Sequence, residues 1–367
     1  MRNRVIVGLS GGVDSAVAAL MLTEAGWDVE CLFMKNWEED DPNPACSSEE
    51  DYVMALQVAE TLGLPLHTVN FVQEYWDRVF TYFLDEYRRG RTPNPDVLCN
   101  REIKFKAFLD YALTLGAEKI ATGHYARLIR AAGGTQLWKG VDPGKDQSYF
   151  LYMVPQTALE RSLFPLGEYT KREVRERARQ AGLPNADRKD STGICFIGER
   201  KFSEFLSHYL PAQPGMIETE DHRVVGTHRG LMYYTLGQRQ GLGIGGGHGK
   251  EGLAWYVVRK DVERNVLVVA QGQRNPALYS RGLEATQLYW INGEPVGHEM
   301  EVTAKIRYRQ PDQNAVLIRV GEDRIRLEFE EPQFAVAPGQ AVVIYQGERC
   351  LGGATIERAL RPVREVA

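Results

Sequence analysis

No stretch of about eighteen apolar residues, the length a bilayer-spanning helix needs, occurs in the chain. Nor does a signal-peptide or transit-peptide pattern precede its first apolar run, so a cytoplasmic location without membrane contact is expected. The five cysteines, Cys31, Cys46, Cys99, Cys195 and Cys350, include no CxxC pair and no Cys/His cluster at zinc-finger spacing. Their odd number argues against a disulfide framework, and the missing CxxC lowers the case for an iron–sulfur cluster. A basic excess is absent too. The 44 Lys and Arg against 49 Asp and Glu leave a net charge of −5, which gives no support to bulk attraction for nucleic acid. There is no internal repeat and no low-complexity tract. At 367 residues, two or three domains are expected.

What is present begins almost at once. Residues 5–9 are an apolar run that reads as a buried strand of a parallel sheet, and residues 16–25 resume with helical spacing. Between them, Ser10-Gly11-Gly12-Val13-Asp14-Ser15 reads as a phosphate cradle. Gly11 and Gly12 let the backbone turn tightly and present its N–H groups. Ser10 and Ser15 add hydroxyls where the helix dipole favours an anion. The Gly-Lys-Ser ending of the usual P-loop is missing. The pattern instead resembles the pyrophosphate loop of the N-type ATP pyrophosphatases, which implies adenylation rather than phosphorylation. The plain alternative is a strand-to-helix turn whose glycines only permit close packing.

Residues 1–200 alternate strands, expected at 28–34, 66–70 and 119–122, with helices at 48–62, 73–89 and 104–115. That rhythm implies a doubly wound parallel α/β sheet with its ligand at the carboxyl ends of the strands. Met34, Gly123 and His124 lie at such ends. One more helix, at 201–210, opens a small β-rich central domain spanning 201–271, with strands expected at 223–225, 231–234, 255–259 and 266–270. From 272 to 367 the reading is all β. Short strands at 283–290, 300–309, 315–320, 324–330, 340–346 and 352–357 suggest a C-terminal β-barrel.

Charge is distributed unevenly. Residues 88–106 carry six basic residues against Asp96 and Glu102, and this stretch encloses Thr92-Pro93-Asn94-Pro95-Asp96 and then Cys99. The two prolines predict a non-helical turn, and cations beside a thiol at a helix start favour its thiolate. Cys195 lies in Arg188-Lys189-Asp190-Ser191-Thr192-Gly193-Ile194-Cys195, a comparable setting. Cys31 and Cys350 fall in strand patterns and read as core thiols, while the acids around Cys46 would raise its pKa. Taken singly, Cys99 and Cys195 read equally well as inert. Beside an ATP-cleaving loop, they suggest thiol chemistry on an adenylated substrate.

The segments GLSGGVDS, FMKNWEEDD, GRTPNPDVLCNREIKFK, ATGHYAR, KDQSYFL, KDSTGICFIGERKF, TLGQRQGLGIGG and RYRQ resemble, in this order and across nearly the whole chain, the bacterial tRNA-specific 2-thiouridylases. The resemblance implies a tRNA-uridine 2-sulfurtransferase. ATP would adenylate the C2 oxygen of the wobble uridine in tRNAs for lysine, glutamate and glutamine, and sulfur would displace AMP. Cys195 would receive sulfur as a persulfide from a relay protein. Cys99 would be the second catalytic thiol, left in a Cys99–Cys195 disulfide, with Asp96 as general acid/base.

The same resemblance assigns Gly8, Leu9, Ser10, Gly11, Gly12, Val13, Asp14 and Ser15, with Met34 and Gly123, to ATP. It assigns Asn94, Pro95 and Asp96 to the target base, and His124, Lys145, Asp146, Gln147, Arg307, Tyr308 and Gln340 to tRNA. Arg307 and Tyr308 also suit phosphate contact and base stacking by their own chemistry. The target base is expected flipped out of its stack. Mg²⁺ on the pyrophosphate is expected from ATP chemistry, with no protein ligand pattern to mark it. Two rival readings stay open. A small-molecule ligase of the same superfamily would leave Cys99, Cys195 and the barrel without a role, and an ATP-binding sensor or RNA-binding scaffold would form no AMP.

Overall fold

The computed structural model describes residues 3–38, 47–190, 202–245, 252–293 and 297–360. Its first sheet grows around β1 (Arg4–Gly8), whose Val5, Ile6 and Val7 have no exposed surface. Each side chain so buried stabilises the fold by about 2 kcal/mol relative to exposure, which is why an unbroken apolar run becomes a central strand. The chain continues through α1 (Val13–Glu24), β2 (Asp28–Lys35), α2 (Ser47–Leu62), β3 (Leu66–Asn70), β4 (Lys119–Ala121), β5 (Ala126–Ala131), β6 (Gly134–Lys139) and β7 (Ser162–Leu163). Five of these strands form one parallel sheet in the order β3-β2-β1-β4-β7. The strand order reverses between β1 and β4, the switch point where ligands of such sheets bind.

Two helical segments depart from the expected form. The chain is helical from Pro95 through Thr114, with a π-helical stretch at Cys99–Ala107, and the segment 72–88 carries a similar stretch at Trp76–Phe80. The non-helical turn expected at 92–96 is therefore found at 92–94, while Pro95 and Asp96 already belong to the helix. Pro95 occupies the first helical position, where its missing N–H is not needed, and Cys99 lies a full turn inside the helix.

The central domain contributes β8 (Gly215–Thr219), β9 (Val224–His228), β10 (Trp255–Asp261) and β11 (Val266–Gln271), ordered β10-β11-β8-β9. β8 was hidden by Pro214-Gly215, which reads as a break. The strand expected at 231–234 is instead a 3₁₀ turn, Leu231–Tyr233, entered at Gly230 with φ of 154°. Its apolar residues still do core work, since Leu231 and Tyr234 are buried against this sheet.

β12 (Tyr279–Trp290), β13 (Glu299–Lys305), β14 (Gln313–Arg319), β15 (Ile325–Phe334), β16 (Ala341–Gln346) and β17 (Arg349–Leu360) are antiparallel in the order β12-β15-β14-β13-β16-β17. β12 also pairs with β17 and closes the barrel. The expected fold class, a doubly wound sheet followed by a β-rich domain and a barrel, is borne out. Unforeseen was the β5–β6 hairpin, which leaves the first domain and joins the barrel sheet, pairing Leu137 with Cys350 and Trp138 with Arg349.

Candidate active site

The loop after β1 is shaped by its own side chains. Gly11 adopts φ of 77°, and a Cβ there would lie 2.5 Å from the carbonyl oxygen of Asp51, so only glycine fits. The Ser15 hydroxyl accepts from the Ser10 N–H at 3.2 Å and donates to the Gly12 carbonyl at 2.9 Å. Gly12 caps α1 in an extended conformation with no side-chain cap, which leaves the first-turn N–H groups for an anion. Gly123, beyond β4, packs so closely that a Cβ would stand 2.7 Å from backbone atoms of Asp14 and Ser15. A Cβ on Gly8 would meet Phe108 at 3.2 Å and the Met34 methyl at 3.3 Å. The structure thus brings residues 8–15, Met34 and Gly123 together at one strand end.

Cations surround this loop, and the sequence reading had assigned none of them to it. Lys171 binds both oxygens of Asp14, at 2.7 and 2.8 Å, and Tyr125 donates its hydroxyl to the same carboxylate at 2.7 Å. Lys171 also reaches Asp190 at 2.7 Å, where Lys145 (2.6 Å) and Arg175 (2.8 Å) converge. Burial works against the Asp190 charge, but hydrogen bonds from Lys145 and Lys171 outweigh it and hold the carboxyl at about 2. Arg188 and Asn185 donate to the Gly11 carbonyl at 3.2 and 3.0 Å, and Arg188 pairs with Asp51 at 2.6 Å. The missed signal was Thr170-Lys171-Arg172-Glu173, a capping box that starts the helix Lys171–Gln180 and fixes Lys171 at its first position.

Cys99 lies on the helix that reaches the loop through Phe108. The thiol is 2% exposed, and burial pushes it up to about 11, against a smaller downward pull from Lys104. The expectation of a favoured thiolate is therefore not met in this state, because desolvation exceeds the neighbouring charge. The turn before it is propped from the barrel. Gln340 donates to the Thr92 carbonyl at 2.9 Å, the Thr92 N–H donates to Pro338 at 2.9 Å, and the Tyr149 hydroxyl donates to Ala341 at 2.9 Å. Cys195 and Cys46 lie outside the described residues. Cys31 and Cys350 are core thiols, as expected, and burial raises both.

The residues assigned to tRNA are mostly engaged inside the protein. His124 is 7% exposed, bonded through Nδ1 to the Thr122 hydroxyl at 2.7 Å and packed on Phe105 and Phe164. Burial, then Lys104, lowers its pKa well below the ordinary value, so the ring is neutral. Asp146 is buried and accepts from the Gly140 and Ser148 N–H groups, each at 3.1 Å. Gln147 accepts from the Tyr125 N–H at 3.0 Å. Arg307 donates to the carbonyls of Ala335 (2.9 Å) and Leu236 (3.4 Å), joining barrel to central domain. Tyr308 packs on Phe150 with ring centroids 4.4 Å apart and donates to the Lys145 carbonyl at 3.3 Å. In this arrangement Arg307 and Tyr308 do not present the free cation and ring that their chemistry suggested.

Residues 3–199 match the family described as "tRNA methyl transferase HUP domain", residues 203–271 the "tRNA methyl transferase PRC-barrel domain", and residues 280–356 the "Aminomethyltransferase beta-barrel domain". Curated relatives include proteins of Pseudomonas putida (strain GB-1) and Pseudomonas aeruginosa (strain UCBPP-PA14), both named tRNA-specific 2-thiouridylase MnmA. Each is 58% identical over 358 residues, covering 98% of this chain and 96% and 95% of theirs. Among solved structures, a 4-thiouridine synthetase in complex with RNA and ATP superimposes over 57% of this chain and 50% of that one. Its TM-score of 0.34 and 20% identity carry no argument.

Proposed function

Since the chain belongs to the family of tRNA-specific 2-thiouridylases, and is an ATP-dependent tRNA sulfurtransferase by that membership, we propose that residues 8–15 hold the ATP and that Cys99 and Cys195 carry the sulfur. One observation supports this most. The SGGVDS loop, closed by Gly123 and ringed by Lys145, Lys171, Arg175 and Arg188, stands beside the helix that bears Cys99. An uncapped helix start and four cations suit a triphosphate. Methyl transfer, the wording of two of the matched family descriptions, calls for no triphosphate cradle.

In the proposed reaction the C2 oxygen of the flipped uridine attacks the α-phosphorus of ATP. Pyrophosphate leaves, and the base becomes a good acceptor because AMP is now its leaving group. A persulfide on Cys195 supplies sulfur to C2, either directly or as sulfide released by the Cys99 thiolate. Either route ends in a Cys99–Cys195 disulfide that an external thiol must reduce. Asn94, Pro95 and Asp96 would face the base, with Asp96 moving the proton that activates Cys99. Asp14 is the loop's own carboxylate, and the described residues contain no group of three or more metal ligands. That donor set fits a Mg²⁺ ion carried mainly by phosphate and water, where it would neutralise the leaving pyrophosphate.

The substrates proposed are the tRNAs for lysine, glutamate and glutamine, with a persulfide relay protein as donor and the cytoplasm as location. Residues 1–200 would carry catalysis, residues 201–271 would form the central domain, and residues 272–367 would meet tRNA. For tRNA to use Arg307, its guanidinium must exchange the carbonyls of Ala335 and Leu236 for phosphate. The test is mass spectrometry of nucleosides from unmodified tRNA incubated with the protein, Mg-ATP and a persulfide-loaded relay. 2-Thiouridine confined to the wobble position supports the proposal. Its absence with folded, ATP-binding protein refutes it.

A further inference from the structure

A cleft of about 360 Å³ opens where the three domains meet, within the size range of small-molecule sites and sharing no residue with the loop at 8–15. Its floor is apolar, with Leu236, Val258, Leu278 and Val336 contributed by the central domain, the barrel and the segment between them. Five cations line it, and no carboxylate does. Four of them already have counter-ions behind the wall. Arg91 and Arg89 pair with Glu86 at 2.7 and 3.7 Å, Arg259 with Asp261 at 3.1 Å, and Arg358 with Glu284 at 2.7 Å. The fifth, Lys260 on β10, is different. Its amine is buried and has no hydrogen-bond partner, and among the described residues it is the one lining cation without an ion pair. Burial pushes it down to about 8, so it is still mostly protonated at neutral pH.

A buried ammonium with no partner is costly, and the lining of the cleft, where Thr92 and Ser280 are the uncharged polar side chains, holds no carboxylate to supply the missing charge. We propose that this cleft is a binding site for a small amphipathic anion, a carboxylate, phosphate or sulfonate head on an apolar body, with Lys260 turning its amine, which has essentially no accessible surface in the free protein, into the cleft to take the head. An occupant would touch all three domains at once. It would also touch Thr92, whose carbonyl Gln340 holds, and so bear on the turn that leads to Cys99.

The probe is 8-anilinonaphthalene-1-sulfonate, with its uncharged analogue N-phenyl-1-naphthylamine as control, titrated by fluorescence into the full chain, Lys260→Met and Lys260→Arg. Saturable binding at one site per chain is expected, weakened at least about tenfold in Lys260→Met and kept in Lys260→Arg, with the uncharged analogue indifferent to both. Without ligand, Lys260→Met is expected to melt at a higher temperature than the parent, because it removes an uncompensated buried charge. A lysine that merely packs would do the opposite. Equal sulfonate affinity in parent and Lys260→Met, or no saturable binding in the parent, overturns the proposal. Displacement of the probe by stoichiometric unmodified tRNA also overturns it, by giving the site to RNA phosphate.

Discussion

The state of Cys99 sets a quantitative demand on the chemistry. An ordinary thiol near 8.5 is about 3% ionised at pH 7. With burial holding Cys99 at about 11, its thiolate is on the order of one part in ten thousand, roughly 300-fold scarcer. The perturbation to apply is pH alone, on the Cys195→Ser variant so that the proposed partner thiol does not intervene. Iodoacetamide labelling of Cys99, followed by peptide mass spectrometry, is expected to rise about tenfold per unit from pH 7 to 10 with no plateau. Limited access slows every point equally, so the slope isolates ionisation from exposure. A plateau at or below pH 8.5 would refute the reasoning, since the thiolate would then be stabilised despite burial. ATP and tRNA together are expected to bring the plateau down into the neutral range. If Cys99 is the proposed nucleophile, a thiol protonated in the unliganded protein must be activated by what binds, with Asp96, one helical turn away, as the proposed base.

Cys99→Ser and Cys195→Ser are each expected to bind ATP and tRNA yet form no 2-thiouridine; full thiolation by either, read by nucleoside mass spectrometry, would return that thiol to a structural role. Lys171→Met leaves Asp14 without its cation and the triphosphate without one of four, so ATP affinity should fall about tenfold or more in calorimetry, and unchanged affinity would remove Lys171 from the site. Asp190 is held at about 2, below the ordinary carboxylate value near about 3.9, so its ion pairs stabilise the fold above about pH 4 and that contribution is lost as pH falls through 2. Asp190→Asn should therefore unfold at lower denaturant than the parent at pH 7, with the gap closing by pH 2; a gap constant across that range would contradict the assignment.

Where local pattern and burial coincide, the sequence was easy to read. β1 and β2 are apolar because both faces are covered, and Gly11 and Gly123 stand where backbone must approach backbone. Long-range pairing was not legible. The partner of β6 lies more than 200 residues away, and residues 126–139 alternate too weakly to announce a sheet whose other strands come from the barrel. Charge counting misjudged Cys99 for a related reason. Lys104 is close in sequence and easily counted, whereas the burial that outweighs it is a property of the packed core. Arg307 and Tyr308 were assigned to tRNA by the resemblance, with residue type in support, and only packing reveals that in this structure they also tie the barrel to its neighbours. Lys171 and Arg175 went unnoticed because the helix that gathers them was itself unread, and Arg188 was read only as a neighbour of Cys195.

The β5–β6 hairpin makes the three domains poor building blocks. A strand that leaves the nucleotide-binding sheet and completes its hydrogen bonding on β17 cannot be parted from the barrel without opening an edge on both sides. Arg91, bonded to the Ile356 carbonyl, and Thr92, bonded to Pro338, add two more stitches across the same seam. A chain cut after residue 271 keeps every residue of the loop, yet it loses the ledge on which the turn before Cys99 rests. Replacing the barrel with that of a relative would thus disturb the turn before Cys99 as well as the barrel itself.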